Sequence, residues 1–355
     1  MKYIPELDGL RALSVLGVLF FHLKVVGFSL GWVGVNFFFV ISGFLITRIL
    51  LDAKAKPYYF RNFYARRALR IFPIYYLSLA LVAVIAAIAG QSLGDGWAYL
   101  FYLQNFLLGF GNWQVNFPAI FNHTWSLAIE EQFYLLWPVV VYLLSGRQLK
   151  LACVLLFVGA FISRAALYFW TGNPNLQFTL LPTQLDALAA GALLAVFASE
   201  DAPALKSIVY WSRAAMLVSG IGLIVLVMYT GYSSYWEPGG WADTKPNLAL
   251  FSLLALFFAG VIAHVSFSNG RLSAFLRLPW LTGIGKISYG IYVYHYLIFG
   301  MMAFVLGESG LDDKNNLPLT VFVAILKLGL TLFVAQISWR WFESPILVMK
   351  ERFVG

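Results

Sequence analysis

The sequence returns repeatedly to runs of mostly apolar residues, at roughly 10–28, 33–51, 71–90, 124–144, 150–170, 183–199, 214–230, 247–265, 286–306 and 318–339. A helix rising about 1.5 Å per residue crosses a hydrocarbon core of about 30 Å in about 20 residues. Hydrocarbon offers no partner to an open backbone group, so each run must close its own hydrogen bonds as a helix. The expected fold is therefore all-α, a polytopic bundle of about ten transmembrane spans. With 61% hydrophobic and 11% charged residues among 355, no soluble domain of this length could keep so much apolar surface from water.

The formal net charge of +8 could point to a nucleic-acid partner, but the basic residues sit in short links between apolar runs, as the cytoplasmic loops of membrane proteins do. Nucleic acid is not an expected partner. The short run WAYLFYLQNFLLGF at 97–110 could be an eleventh span, and counting it would invert every later helix. With the N-terminus inside and that run left out, the inner links hold Lys54, Lys56, Arg61, Arg66, Arg67, Arg70, Arg147, Lys150, Lys206, Arg213, Arg271, Arg277 and Lys286, and the inner C-terminus holds Arg340, Lys350 and Arg352. The outer links then hold Asp95, Glu237, Asp243, Lys245, Glu308, Asp312, Asp313 and Lys314. This partition obeys the positive-inside rule and places both termini in the cytoplasm. Residues 91–123, with Gly94, Gly96, Gly109, Gly111 and Pro118, are expected to form a re-entrant or surface-lying outer segment.

Glu6 and Asp8 precede the first apolar run and no small-residue cleavage site follows it, so that run is expected to be a permanent helix. Cys153 is the only cysteine, which excludes an internal disulfide and a thiolate metal cluster; LACVLLF makes it lipid- or core-facing. No repeat or low-complexity linker interrupts the chain, and 1–355 is expected to be a single membrane domain.

Ionisable residues are costly inside a membrane and are therefore functional candidates. Arg11 and His22 lie eleven positions apart, close to three helical turns and about 16 Å, so they share one face at different depths. Arg11 can also simply snorkel to the inner interface, and His22 can satisfy a neighbouring helix. The segment from Pro57 to Pro73 is too polar to span and is expected to lie as an amphipathic helix on the cytoplasmic surface. Within it Arg66 and Arg70 are one turn apart with Arg67 adjacent, a spacing that suits a phosphate or diphosphate, or else anchors lipid headgroups.

The fourth run opens with HTWSLAIEEQFYLLWP, where adjacent glutamates point about 100° apart. Glu130 shares its face with Ser126, Tyr134 and Trp137 and better fits a polar cavity; Glu131 goes with Leu127, Leu135 and Pro138. Either glutamate can instead compensate the dipole at the helix N-terminus. Gly31, Gly34 and Gly43, with Asn36 and Ser42, permit close helix packing and a buried polar contact. His295 is expected to line the same cavity, Glu343 to partner an arginine near the inner surface, and His123 and His264 to be interfacial without a role.

The segments LDGLRALSVLGVLFFH, GWVGVNFFFVISGFLIT, FYARRALRIFPIYY, TWSLAIEEQFYLLWP, ISYGIYVYHYLI and the terminal Glu-Ser-Pro, in that order, resemble the acyltransferase-3 family of membrane-bound O-acyltransferases over essentially the whole chain. The resemblance implies a multi-pass protein of the bacterial inner (cytoplasmic) membrane that moves an acyl group, commonly acetyl, from acyl-CoA to a hydroxyl of a cell-surface or exported glycan or lipid-linked saccharide. It implies no metal, and leaves room for glycan-assembly proteins as partners. Many members carry an additional extracytoplasmic esterase-like domain; its absence from this sequence implies direct transfer or help from a separate protein. On this reading Arg66, Arg67 and Arg70 hold the CoA phosphates and His22 is general base or acyl carrier. Glu130 orients His22 or the acceptor, and Arg11 serves the thioester oxygen or a phosphate. Asn36, Ser42, Ser126, Glu131, Tyr134 and His295 line the cavity. A glycan-lipid transporter or flippase is the competing class, but it would be expected to show inverted repeats or broken midplane helices, which the sequence does not display. A non-catalytic scaffold for polysaccharide assembly would leave the cost of Arg11, His22 and Glu130 unexplained.

Overall fold

In the computed structural model, which describes residues 3–200, 202–230, 247–306 and 317–353, the apolar runs have become helices and the described residues contain no strand. The first elements are α1 (Pro5–His22), α2 (Val33–Ala53), α3 (Tyr59–Ile88), α4 (Gly96–Leu100) and α5 (Gln104–Phe110). Next come α6 (Trp125–Leu143), α7 (Gly146–Thr171), α8 (Pro174–Thr179), α9 (Leu181–Ala198), α10 (Ala202–Thr230) and α11 (Asn247–Phe267). Short α12 (Arg271–Leu276) and α13 (Pro279–Lys286) lead into α14 (Ser288–Leu306) and α15 (Leu317–Ser338); a π turn at Trp339–Glu343 then joins α15 to α16 (Ser344–Val348). The outer-link charges expected at 237–245 and 308–314 lie outside the described residues.

Among the described residues, 8 helices are long and apolar enough to cross a membrane. The two expected spans missing from that set are α1 and α6. Both are helical over 18 and 19 residues. Charged side chains lower their mean hydropathy: Glu6, Asp8 and Arg11 on α1, and Glu130 and Glu131 on α6. The first apolar run also ends sooner than its composition indicates. Helix α1 stops at His22, because Lys24 and Gly27 turn the chain with φ of 54° and 88°.

Helix α3 corrects the amphipathic surface helix expected over 57–73. That segment is the first half of one 30-residue helix that continues through Pro73. Proline removes one backbone hydrogen bond and normally breaks a helix, but neighbouring groups can re-satisfy the freed backbone in a membrane bundle. The carbonyl that Pro73 leaves unpaired is that of Leu69; two residues on, the Tyr289 hydroxyl donates to the Ile71 carbonyl at 3.0 Å and ties α14 to this stretch. The buried row of α3 runs through Tyr59, Phe63, Ile71, Ile74 and Ser78. Arg67 and Arg70 fall on that row by helical spacing, and Arg66 does not.

Inner helices meet backbone to backbone. A Cβ on Gly43 would lie 2.0 Å from the Leu188 carbonyl oxygen, and one on Gly191 2.0 Å from that of Val40, so α2 and α9 touch at their backbones. Gly34 sits in the same way on the Ser14 carbonyl of α1. These contacts fix the rotation of α1, α2 and α9 about one another. Helices α7 and α10 leave most of their apolar side chains outward, where lipid would cover them. Cys153 faces the core.

Residues 96–124 form two short helices and a 3-10 turn rather than a span. Seven residues of α5 reach only about 10 Å. Their open backbone is held by side chains: Tyr75 and Tyr76 donate to the carbonyls of Tyr99 and Leu100, Gln104 to Thr124, and Gln132 to Tyr102.

One intramembrane ion pair escapes sequence inspection. Arg164 on α7 donates to Asp186 of α9 at 2.6 Å and to Ser252 of α11 at 2.7 Å, and also to the carbonyls of Thr183 and Leu248. Both charged residues are fully buried. Each of the three guanidinium nitrogens has an acceptor, which marks this as a structural clasp between three helices. Removing one partner leaves a buried charge uncompensated, at about 3–5 kcal/mol. Asp186→Ala is therefore expected to lower the melting temperature of the detergent-purified protein, and Arg164→Met with Asp186→Leu to recover most of the loss. An unshifted melting curve for Asp186→Ala would remove the clasp from the account.

Candidate active site

Five helices contribute one face each to a pocket between them. Arg11 comes from α1; Val35, Phe38, Phe39 and Ser42 from α2; and Arg67, Arg70 and Ile71 from α3. Ser126, Leu127, Glu130, Glu131 and Tyr134 come from α6, and Ser288, Tyr289 and Tyr292 from α14. The i, i+3, i+4 spacing within each set is what one helix face presents. Both glutamates face in. The Glu131 row lines the pocket through Leu127, while Leu135 on the same row is 64% exposed.

Glu130 accepts from Ser42 Oγ at 2.6 Å, and Ser42 in turn accepts from the Tyr134 hydroxyl at 3.0 Å. The Arg67 guanidinium lies over the Tyr134 ring, 5.4 Å from its centroid. Arg11 leans toward Asp8 at 3.3 Å. Arg67 and Arg70 join no ion pair among the described residues. That sets them apart from Arg164, whose charge is fully matched. Two half-buried guanidiniums outside ion-pair contact, beside a third and with Glu130 and Glu131 lining the same pocket, form a site for an anion with several acceptor oxygens.

The Ser126 hydroxyl is 2.6 Å from that of Tyr292, which donates to the His123 carbonyl at 2.9 Å. One turn further along α14, His295 Nδ1 lies 2.6 Å from the Tyr292 carbonyl oxygen, and its Nε2 lies 3.1 Å from His22 Nδ1. His123 packs within 5.0 Å of the His295 ring and stacks on Tyr296, whose edge meets His22. The arginine pocket and a histidine cluster thus adjoin through Tyr292.

Several expected positions are moved by these contacts. Arg66 is exposed and outside the pocket, because it lies off the buried row of α3. Asn36 is not a lining residue; it is buried against α9 and donates to Gln184 at 3.1 Å. His295 touches His22 rather than lining the pocket. Among described contacts, Glu130 bonds Ser42, and His22 bonds His295. Glu343 accepts from Ser338 at 3.2 Å, and the arginine within its electrostatic reach is Arg70. His123, expected at an interface, is buried in the cluster by the 3-10 turn Ala119–Thr124. The missed signal is its place three residues before Ser126, where one turn carries it to the same end of α6.

The chain matches a family model described as an acyltransferase domain over residues 4–338. It is 30% identical over 362 residues to a peptidoglycan O-acetyltransferase, OatA, of Listeria monocytogenes, a match covering 97% of this chain and 56% of that protein. It is 31% identical over 372 residues to an O-acetyltransferase, OatA, of Staphylococcus aureus, covering 97% of this chain and 57% of that one. The chain therefore spans just over half the length of these relatives. No solved structure matches it.

Proposed function

The chain belongs to the acyltransferase family whose domain it carries over residues 4–338, and from that membership we propose that it is a membrane O-acetyltransferase acting on a glycan. The donor is acetyl-CoA, and the acceptor is a hydroxyl of an exported or surface glycan, with peptidoglycan first in line by likeness to the Listeria relative. The observation that carries the reading is the adjacency of two sites: a pocket with three arginines, two of them outside any ion-pair contact, and a histidine pair one helical turn beyond it.

Arg11, Arg67 and Arg70 hold the CoA phosphates. Arg66, on the far side of α3, stays with lipid headgroups. From Arg11 to His22 the rise along α1 is about 16 Å, a distance that an extended pantetheine arm bridges along Ser126 and Tyr292. His22 takes the proton from the acceptor hydroxyl, the oxygen attacks the thioester carbonyl, and the thiolate of CoA leaves and regains the proton. If His22 instead carries the acyl group, a burst of free CoA precedes any acceptor. Glu130 holds Ser42 and Tyr134 as the polar wall of the pocket, with Glu131 beside it.

Orientation follows from charge. Arg277 pairs with Glu6 at the start of α1, Lys54 meets the end of α6 at Leu144 and Lys150 pairs with Glu200 after α9, and the positive-inside rule turns these links to the cytoplasm. Donor therefore enters from inside and acceptor from outside, with both termini cytoplasmic.

Purified protein given acetyl-CoA and peptidoglycan fragments is expected to release CoA over many turnovers only when the glycan is present, and the glycan to gain one acyl unit by mass. Movement of glycan across vesicles without CoA release would replace this reading with transport.

A further inference from the structure

We propose that His295 is a positioning residue that fixes the tautomer of His22 and leaves Nε2 as its reactive nitrogen, an inference that rests on the acyl-transfer reading for its catalytic consequence but not for its geometry. A carbonyl oxygen has no proton to give. At 2.6 Å from the Tyr292 carbonyl, His295 Nδ1 must therefore be the donor. A neutral imidazole carries one N–H, so His295 Nε2 is left with a lone pair. Its neighbour at 3.1 Å is His22 Nδ1, which must then supply the proton. His22 in turn has its lone pair on Nε2, directed away from His295.

This chain of donors requires that His295 stay neutral. It is fully buried, and the rings packed on it are those of His22, His123, Tyr292, Tyr296 and Phe299. None carries a negative charge, so an imidazolium there would have no counter-ion. A carboxylate is the usual group that holds a catalytic imidazole in one tautomer. Here a second histidine, anchored by a backbone carbonyl, does that work without adding charge to the membrane interior. When His22 accepts the hydroxyl proton on Nε2, its Nδ1–H remains on His22 and its bond to His295 steadies the new imidazolium.

Alkylation of His22 by iodoacetate in the purified full chain reads the tautomer directly, because Nε2- and Nδ1-carboxymethylhistidine separate after peptide isolation and hydrolysis. Wild type is expected to give the Nε2 product at His22, and His295→Leu a mixture of both. His295→Gln restores the single product, since its side-chain oxygen accepts from His22 while its NH2 donates to Tyr292. With acetyl-CoA and glycan, His295→Leu is expected to lose between about 10²- and 10⁴-fold in kcat with KM for acetyl-CoA unchanged, and His295→Gln to recover at least tenfold of it. A merely structural His295 would not move the alkylation site. Nδ1 product in the wild type, or an unaltered single product in His295→Leu, overturns the proposal; if His295→Leu cannot be purified, the wild-type regiochemistry decides alone. Should the wild type transfer no acyl group at all, the functional reading fails, yet the alkylation pattern still judges the histidine pair.

Discussion

His22→Ala is expected to leave acetyl-CoA affinity within about twofold of wild type and to lower acyl transfer by at least about 10³-fold, within the range that a positioned general base contributes. The separation of the two effects follows from placement. His22 is not among the residues lining the arginine pocket, so phosphate recognition is intact without it. Folding should survive as well. The substitution strands one acceptor, Nε2 of His295, at a cost of about 1–3 kcal/mol, while the backbone contacts that seat α1, at Gly9 against Leu276 and Gly34 against Ser14, are untouched. The check is acetyl-CoA binding and glycan-dependent CoA release on the same purified sample. Undiminished transfer would remove His22 from the chemistry, and joint loss of binding and transfer would make it a structural residue.

What the sequence made legible is what one helix decides by itself. The apolar runs announce their length, the Arg11-to-His22 interval announces a shared face, and the period of 126, 130 and 134 sets Ser126, Glu130 and Tyr134 together. What it hid is what two helices decide between them. Asn36 carries the same local signal as Ser42, but the rotation of α2 set by Gly43 on Leu188 sends one toward Gln184 and the other into the pocket. Arg164 and Asp186 lie 22 positions apart on different helices, and no periodicity links them. Pro73 and the polar stretch before it look like an interruption, yet the helix runs on through both, and the Tyr289 hydroxyl, more than 200 residues away, meets its backbone at Ile71. The histidine cluster is the extreme case, since His22, His123 and His295 arrive from an α1 end, a 3-10 turn and the middle of α14.

Arg67→Gln with Arg70→Gln is expected to weaken acetyl-CoA binding by roughly 10²- to 10⁴-fold, because each lost charge-assisted hydrogen bond is worth about 1.5–3 kcal/mol. Wild-type affinity should fall as salt rises, and the double variant should have lost that dependence. Arg66→Gln is the internal control: it is as close in sequence and as basic, but exposed and off the pocket, so its affinity should stay within about twofold of wild type. Stability separates from binding. Arg11, Arg67 and Arg70 line one pocket, and their mutual repulsion in the unliganded protein is offset by Glu130 and Glu131 in the same pocket. Removing two arginines takes away both the repulsion and the attraction to the glutamates, so the double variant should melt close to wild type before ligand is added. Added acetyl-CoA should then raise the wild-type melting temperature and leave that of the variant unmoved. A fall in affinity together with a fall in unliganded stability would mark these arginines as structural, as Arg164 is, and unaltered affinity would reduce them to topology anchors. Equal losses in Arg66→Gln and the double variant would mean that the basic surface of α3 as a whole, and not the pocket, recognises the anion.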